Sequence, residues 1–379
     1  MHCGTVRIHY PISGGEIVLR SERSWYDDLS AARVSADRTQ WEFDVAHERP
    51  HLEYKPCLRD AGEFLWSVGP NKLALLSENG PADCYPHFRS GWSGFVTPIL
   101  EIPSAILGRR HRLRVYLPPG YEENRLKRYP VLYLQDGRNL FLPEEAFLAR
   151  EWRVDENLDR LDAMNLVDQT IAVGVWAGDR GADYTGIGYE RFGRSLVEDV
   201  KPAIDERFRT LPDPARTGVM GSSLGGVVSF FLAWQWPHVF GNAACMSSPF
   251  GWQDDLIERV LREPRASGER LRIYLDSGWP NDNYEPTLAM AVALLERGFR
   301  LGRDLLHFAF PLAGHDEGAW SARLHLPLQL FSGKLRAVDC ASSACESSRR
   351  APGGGGPSRF ATVAPGALRQ TTPSSASRV

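Results

Sequence analysis

Two adjacent serines, Ser222 and Ser223, sit among glycines in VMGSSLGG, residues 219–226. A serine hydroxyl is presented for attack where a very tight strand-to-helix turn carries it, and the pattern for that turn is G-x-S-x-G. The two glycines are needed because a Cβ at either place would strike the other arm of the turn. Ser223 has Gly221 and Gly225 in those places, whereas Ser222 has Met220 and Leu224. Ser223 is therefore the candidate nucleophile and Ser222 a spacer. RTGVM before it reads as a strand and LGGVVSFFLAW after it as a helix. The amide of Leu224, free at the start of that helix, would point at the oxyanion formed when Ser223 attacks a carbonyl. A glycine-rich turn without chemistry has the same local pattern; the strand-turn-helix frame favours catalysis.

A serine hydroxyl needs a base to take its proton and an acid to orient that base, and in this arrangement the acid and then the histidine follow the serine. The histidines after Ser223 are His238, His307, His315 and His325. His307 lies inside the apolar run LLHFAFP, His238 at the far end of the helix that Ser223 begins, and His325 in the last helix. His315, in PLAGHDEGAW, falls just after the last strand, on the sheet edge where open α/β sheets build their sites, and is the expected base. The acid is sought in YLDSGWPNDNYEPT: Asp276 at a strand end, Asp282 and Glu285 in the loop after it. Asp282 is preferred because a loop carboxylate reaches the far ring nitrogen more easily; Asp276 and Glu285 remain alternatives. One of these acids could instead simply cap the next helix.

A second oxyanion donor should come from the loop after an earlier central strand. VLYLQDGRNLF offers Gly137, Arg138, Asn139 and Leu140 there, with the amide of Arg138 or Asn139 as donor, although DGRN would form a β-turn in any case. Two further loops, WAGDRGADYTGIGYERFG and SSPFGWQDD, supply Arg180, Tyr184 and Trp252 as candidate substrate contacts.

These residues need a scaffold. Between about 104 and 335, short apolar runs (LRVYLPPG, PVLYLQDG, TIAVGVWAG, TGVMG, NAACMSS, RIYLDSG, LLHFAFP) end in turn residues. They alternate with helical patterns in SLVEDVKPAIDERF, GGVVSFFLAWQW and TLAMAVALLERG, which predicts an α/β fold with a mostly parallel sheet covered on both faces. Residues 1–95 read instead as short strands separated by turns, a small antiparallel sandwich. Residues 336–379, rich in Ser, Gly, Pro and Ala, read as a disordered tail. The expected domains are thus 1–95, 96–335 and 336–379.

The formal net charge of -3 predicts no strong attraction to nucleic acid or an anionic membrane. No apolar run is long enough to cross a bilayer, and MHCGTVRIHYPISGG shows no secretory signal. Six scattered cysteines without CxxC spacing suggest neither zinc nor a redox motif and fit a reducing cytoplasm. The proposed chemistry requires no metal and no organic cofactor.

Taken together, RRHRLRVYLPPGYEENRLKRYPVLYLQDGRNLF, IAVGVWAGDRGADYTG, VMGSSLGGVVSFFLAWQWPHVFG and AGHDEGAW resemble the esterase D and enterochelin-esterase-like family of α/β-hydrolases, in family order over about 105–332. The resemblance implies an α/β-hydrolase that cleaves, and in some members transfers, acyl groups of carbohydrate-linked esters, siderophore lactones or glutathione thioesters. It puts the family's serine on Ser223, its histidine on His315 and its acid near Asp282. RSWYDDLSAARVSADRTQWEFDVA, LEYKP and WSVGPN are similar, more weakly, to starch- and glycogen-binding early-set immunoglobulin-like sandwiches. In those the aromatics to test would be Trp25, Trp41, Tyr54 and Trp66, with Trp41 alternating as a core residue would. The expected function is serine ester hydrolysis on a small or carbohydrate-linked ester. Acyl transfer by the same triad, or an inactive carbohydrate-binding protein, are the alternatives.

Overall fold

Alternation builds the front of the chain. Along Gln40–His47 the side chains of Trp41, Phe43 and Val45 are buried while Glu42 and Asp44 face outward, the period of two of a strand with one wet face. The computed structural model describes residues 1–76, 80–264 and 270–334. Its first nine strands are β1 (His2–His9), β2 (Glu16–Ser21), β3 (Ser24–Ser30), β4 (Arg33–Val34), β5 (Gln40–His47), β6 (His51–Asp60), β7 (Glu63–Trp66), β8 (Lys72–Leu75) and β9 (Ala82–Cys84). They form two sheets, ordered β4-β5-β1-β9 and β3-β2-β6-β7, with β8 also on β6. One core joins them: Val6, Ile8 and Phe43 from the first sheet pack with Ile17, Leu52 and Leu58 from the second. Trp41 and Tyr54 are buried in that core and are not available to stack on a sugar. Trp66 is exposed, but the Arg20 guanidinium lies over its ring and Phe64 meets it edge-on.

Continuous apolar runs build the rest. VLYL and IAVGV are buried along their whole length, as strands covered on both faces must be. The strands are β10 (Phe95–Val96), β11 (Leu100–Ser104), β12 (Arg109–Leu117), β13 (Val131–Leu134), β14 (Ile171–Val175), β15 (Thr217–Ser222), β16 (Asn242–Met246), β17 (Arg272–Trp279) and β18 (Leu305–Pro311). They make a nine-stranded sheet, ordered β10-β12-β14-β13-β15-β16-β17-β18, with β11 on β12. From β14 to β18 every pairing is parallel, while β12 runs antiparallel to β14. All seven apolar runs of the sequence fall on strands of this sheet.

The helices are α1 (Val154–Ala163), α2 (Arg180–Tyr184), α3 (Tyr189–Ser195), α4 (Lys201–Arg207), α5 (Leu224–Gln235), α6 (Leu256–Arg262), α7 (Tyr284–Glu296), α8 (Glu317–Arg323) and α9 (His325–Ser332). Alternation within β13 divides them between two faces. Val131 and Tyr133 pack with Phe230 and Phe231 of α5 and Leu294 of α7. Leu132 and Leu134 pack with Leu158 of α1 and Leu328 of α9. The run expected as one helix, SLVEDVKPAIDERF, is divided by a π-helical turn at Leu196–Val200 just before Pro202, a residue with no amide hydrogen to continue the ladder.

The sandwich and the large sheet belong to one compact unit, Met1–Leu335. The tail from 336, with Cys340 and Cys345, lies outside the described residues. Cys3, Cys57, Cys84 and Cys245 are free thiols. Among the described residues no helix is long and apolar enough to cross a membrane.

Candidate active site

β15 ends at Ser222 and α5 begins at Leu224, so the chain reverses at one residue. Ser223 takes φ 54° and ψ −129°, a conformation that L side chains rarely enter. The reversal is this tight because the arms touch: a Cβ on Gly221 would overlap the backbone of Gly225. The Ser223 amide donates to the Met246 carbonyl at 2.8 Å, which pins the bend to β16.

The Ser223 Oγ lies 3.0 Å from Nε2 of His315, and Nδ1 of His315 lies 2.7 Å from Oδ1 of Asp282. Each residue comes from a different loop at the C-terminal edge of the parallel strands: after β15, after β17 and after β18. Of the three acids considered, Asp282 faces the ring. Asp276 is fully buried one layer below, accepting from Tyr274 Oη at 2.7 Å and Arg323 Nε at 3.1 Å. Glu285 sits in the first turn of α7.

The side chain of Asp282 is fully buried yet richly solvated by protein. Its Oδ1 accepts from His315 and from the Asn283 amide at 2.8 Å; its Oδ2 accepts from Ser247 Oγ and the Gly278 amide, both at 2.6 Å. Burial pushes its carboxyl up, but the hydrogen bonds from His315, Ser247, Gly278 and Asn283 outweigh it and hold the group down at about 2. Asp276 differs in sign: burial pushes it up, against the pull of Arg323.

Ser247 is the junction between the two acids. Its hydroxyl receives Trp320 Nε1–H at 3.0 Å and Arg323 Nη2–H at 2.7 Å, and is thereby committed to donate to Asp282. Trp320 also meets the His315 ring edge-to-face, with centroids 5.0 Å apart. The sequence reading missed Ser247, Arg323 and Trp320. Trp320 alone had a signal, its place in AGHDEGAW.

The oxyanion side divides the expected donors. Among the described residues no acceptor faces the Leu224 or Arg138 amide. The Asn139 amide instead donates to the Asp136 carbonyl at 2.9 Å, closing a 3-10 turn, and is not free to serve. Asp136, with φ 56°, anchors that turn: its carboxylate takes Arg180 Nε at 2.8 Å and Nη2 at 3.0 Å. Burial pushes Asp136 up, and Arg180 opposes the shift. Arg180, expected at the substrate, is thus committed to Asp136. Tyr184, also expected there, is fully buried and accepts the Asp136 amide at 3.2 Å, so it braces this loop instead of facing a ligand. Trp252 is exposed, and it is one of several. Phe147, Leu148, Ile187, Trp252, Trp279 and Leu312 are each more than half exposed, all on segments that follow or end β13, β14, β16, β17 and β18 on the serine's edge of the sheet.

The model of the family described as "Putative esterase" matches residues 104–327, which is more than half of the chain. The chain belongs to the Esterase family. In its sequence it is similar to the uncharacterized protein YbbA of Bacillus subtilis (strain 168), 30% identical over 156 residues, 39% of this chain and 60% of that one. It is also similar to an endo-1,4-beta-xylanase/feruloyl esterase of Xylanibacter ruminicola, 29% identical over 165 residues, 42% of this chain and 22% of that one. The chain therefore spans less than two thirds of the length of these relatives. In its fold it is similar to a ferulic acid esterase (TM-score 0.52, 18% identity, 64% of this chain and 98% of that one). It is likewise similar to the enterobactin esterase of Shigella flexneri solved in the presence of enterobactin (TM-score 0.52, 18% identity, 86% and 92%). The fold is that of an α/β-hydrolase with a β-rich region in front, as the sequence led one to expect.

Proposed function

We propose that this protein is a serine carboxylic-ester hydrolase that works through an acyl-enzyme. The observation that carries the reading is the unbroken run Ser223 Oγ, His315, Asp282 at 3.0 and 2.7 Å, with the serine on a strained bend. His315 takes the Ser223 proton on Nε2 while Asp282 holds Nδ1–H and stabilises the imidazolium that forms. The oxygen of Ser223 attacks the ester carbon, and the amides of Leu224 and Arg138 receive the oxyanion. His315 then gives its proton to the leaving alcohol. Water, deprotonated by the same ring, releases the acid and restores the serine. His315 is 35% exposed, so water has a path to the acyl-enzyme, which favours hydrolysis over transfer.

The exposed aromatic and aliphatic side chains on the serine's edge support an ester with an apolar or aromatic acyl group, whose alcohol is small or carbohydrate-linked. One of the solved structures similar to this chain is by its name an esterase for ferulic acid, an aromatic acid, which agrees with that class. The test is turnover of 4-nitrophenyl acetate and methyl ferulate by wild type and Ser223→Ala, with labelling by a fluorophosphonate. The reading expects loss of both turnover and labelling in the variant. Equal rates in the two proteins would end it.

A further inference from the structure

A cavity of about 420 Å³ lies away from Ser223, where the sandwich meets the catalytic sheet. Its walls include Tyr54 of β6, Leu73 and Leu75 of β8, and Tyr85 just after β9. On the other side stand Lys127 before β13, Gln169 before β14 and Met164 after α1. These flank the N-terminal ends of the parallel strands, so the cavity and the candidate active site sit on opposite edges of one sheet. A volume of this size suits a small organic molecule.

The charges around it are unevenly satisfied. Three lysines line it: Lys72, Lys127 and Lys334. Among the described residues none of them has a carboxylate within 4.0 Å. The three acids on the same wall each have a partner of their own. Asp83 pairs with His9 at 2.7 Å, Asp168 with Arg216 at 3.7 Å, and Asp162 accepts from Gln169 Nε2 at 3.0 Å. Among the described residues Lys127 has one hydrogen bond, to Gln169 Oε1 at 2.9 Å, and its ammonium lies 5.7 and 5.3 Å from the ring centres of Tyr85 and Tyr129. An ammonium carries three donors, so two are left to spend. Burial pushes Lys127 down to about 8, partly countered by Asp162 and Asp168, and the neighbouring Lys72 and Lys334 push the same way as burial. A cation held against desolvation and against two like charges is stabilised by an anion placed among them. The wall also carries an apolar share: Leu73, Leu75, Met164 and Val68.

We propose that this cavity is a binding site for a small organic anion, its phosphate or carboxylate head among Lys72, Lys127 and Lys334 and its apolar body against Leu75 and Met164. The site is independent of the ester-hydrolase reading, since no residue of it takes part in that chemistry.

The probe is 1-anilinonaphthalene-8-sulfonate, whose fluorescence rises when its apolar body leaves water. Wild type should bind one equivalent saturably, more weakly as salt is added. Lys127→Met and Lys72→Met should each weaken binding about tenfold or more, the loss expected for one charge-assisted contact. Lys334→Met, at the exposed rim, should weaken it less. Phenyl phosphate or benzoate should displace the probe and phenol should not, and which of the two wins identifies the head group. Retained 4-nitrophenyl acetate turnover and unchanged melting of the lysine variants would show that they are folded. Ser223→Ala should bind the probe as wild type does. Equal affinity in wild type and both lysine variants, or equal binding of the uncharged analogue N-phenyl-1-naphthylamine, would overturn the proposal.

Discussion

Replacing Asp282 by asparagine changes one oxygen into an amide nitrogen and should be among the most damaging substitutions in the chain. Four donors converge on this carboxylate: His315 Nδ1–H and the Asn283 amide on Oδ1, Ser247 O–H and the Gly278 amide on Oδ2. An asparagine side chain offers one acceptor and two donors, so one pair must meet an N–H it cannot use. If the amide nitrogen turns toward Oδ2's place, it faces the fixed Gly278 amide and a Ser247 hydroxyl already committed by Trp320 and Arg323. If it turns toward Oδ1's place, it donates to His315 Nδ1 and selects the tautomer with its proton on Nε2, which cannot accept the Ser223 proton. The loss for such a tautomer inversion is about 10⁴ in kcat, about 5 kcal/mol of barrier. KM should move little, because the ester does not touch the acid. The assay is steady-state 4-nitrophenyl acetate hydrolysis beside a denaturant unfolding curve for each protein. Asp276→Asn is the contrast. It takes a carboxylate from the buried Arg323 and should cost about 3 kcal/mol of stability while leaving kcat within about tenfold. If Asp282→Asn kept a kcat within tenfold of wild type while Asp276→Asn or Glu285→Gln lost a thousandfold, the assignment of the acid would be refuted.

Other expectations follow from the same geometry. Gly221→Ala drives a Cβ into the Gly225 backbone and should cut kcat/KM at least about a hundredfold by displacing the serine, with the change read under fixed, folded conditions checked by circular dichroism. Ser247→Ala leaves Trp320 Nε1–H and an Arg323 N–H without their acceptor and should cost about 1–3 kcal/mol in denaturant unfolding. The folded carboxyl of Asp282 titrates at about 2 against an ordinary 3.8, so its ionised form adds about 2 kcal/mol above pH 4. That contribution is fully present above the unfolded value and is lost as pH falls through about 2. Wild type should therefore lose more stability than Asp282→Asn on acidification from pH 5 to pH 2. Trp252→Ala and Trp279→Ala should raise KM for methyl ferulate more than for 4-nitrophenyl acetate, with kcat nearly unchanged. Equal effects on the two esters would remove these rings from acyl recognition.

What the sequence made legible was local. The bend at Ser223 announces itself because close contact of two chain segments demands glycine at fixed offsets on one stretch of chain. The strands announce themselves because burial on both faces demands unbroken apolar runs such as IAVGV. His315 could be found because a loop after the last strand can lie on only one edge of the sheet. Arg180 and Tyr184 were harder to read, since an arginine or a tyrosine in a loop looks the same whether it meets a ligand or a buried carboxylate. Their common partner, Asp136, lies more than forty residues earlier and has a positive φ that asparagine or glycine more often adopts. The Asn139 amide was lost to a turn that DGRN was in fact expected to form. Trp41 and Tyr54 show the same ambiguity for aromatics, and the sandwich core claims both.

The layer beneath Ser223, His315 and Asp282 was invisible for a different reason: it exists only where three distant segments meet. Asp276 on β17, Ser247 after β16 and Arg323 on α8 carry no spacing that links them. Their electrostatics nevertheless decide how the site would work. Two buried carboxylates share one buried guanidinium, and Arg323 sits 3.1 Å from Asp276 but 3.9 Å from Asp282. Asp276 holds the direct hydrogen bond from Arg323, while the short hydrogen bonds of Asp282 come from His315 and from the neutral donors Ser247, Gly278 and Asn283. Were each acid given a guanidinium of its own, the field of Asp282 would already be cancelled and the carboxylate would have little to offer a further cation. As arranged, the cation best placed to meet the Asp282 charge is the imidazolium of His315, which on the proposed mechanism appears only when Ser223 attacks. One guanidinium between two carboxylates keeps the ground state short of one positive charge, and catalysis gains from any interaction that strengthens only as the transition state forms.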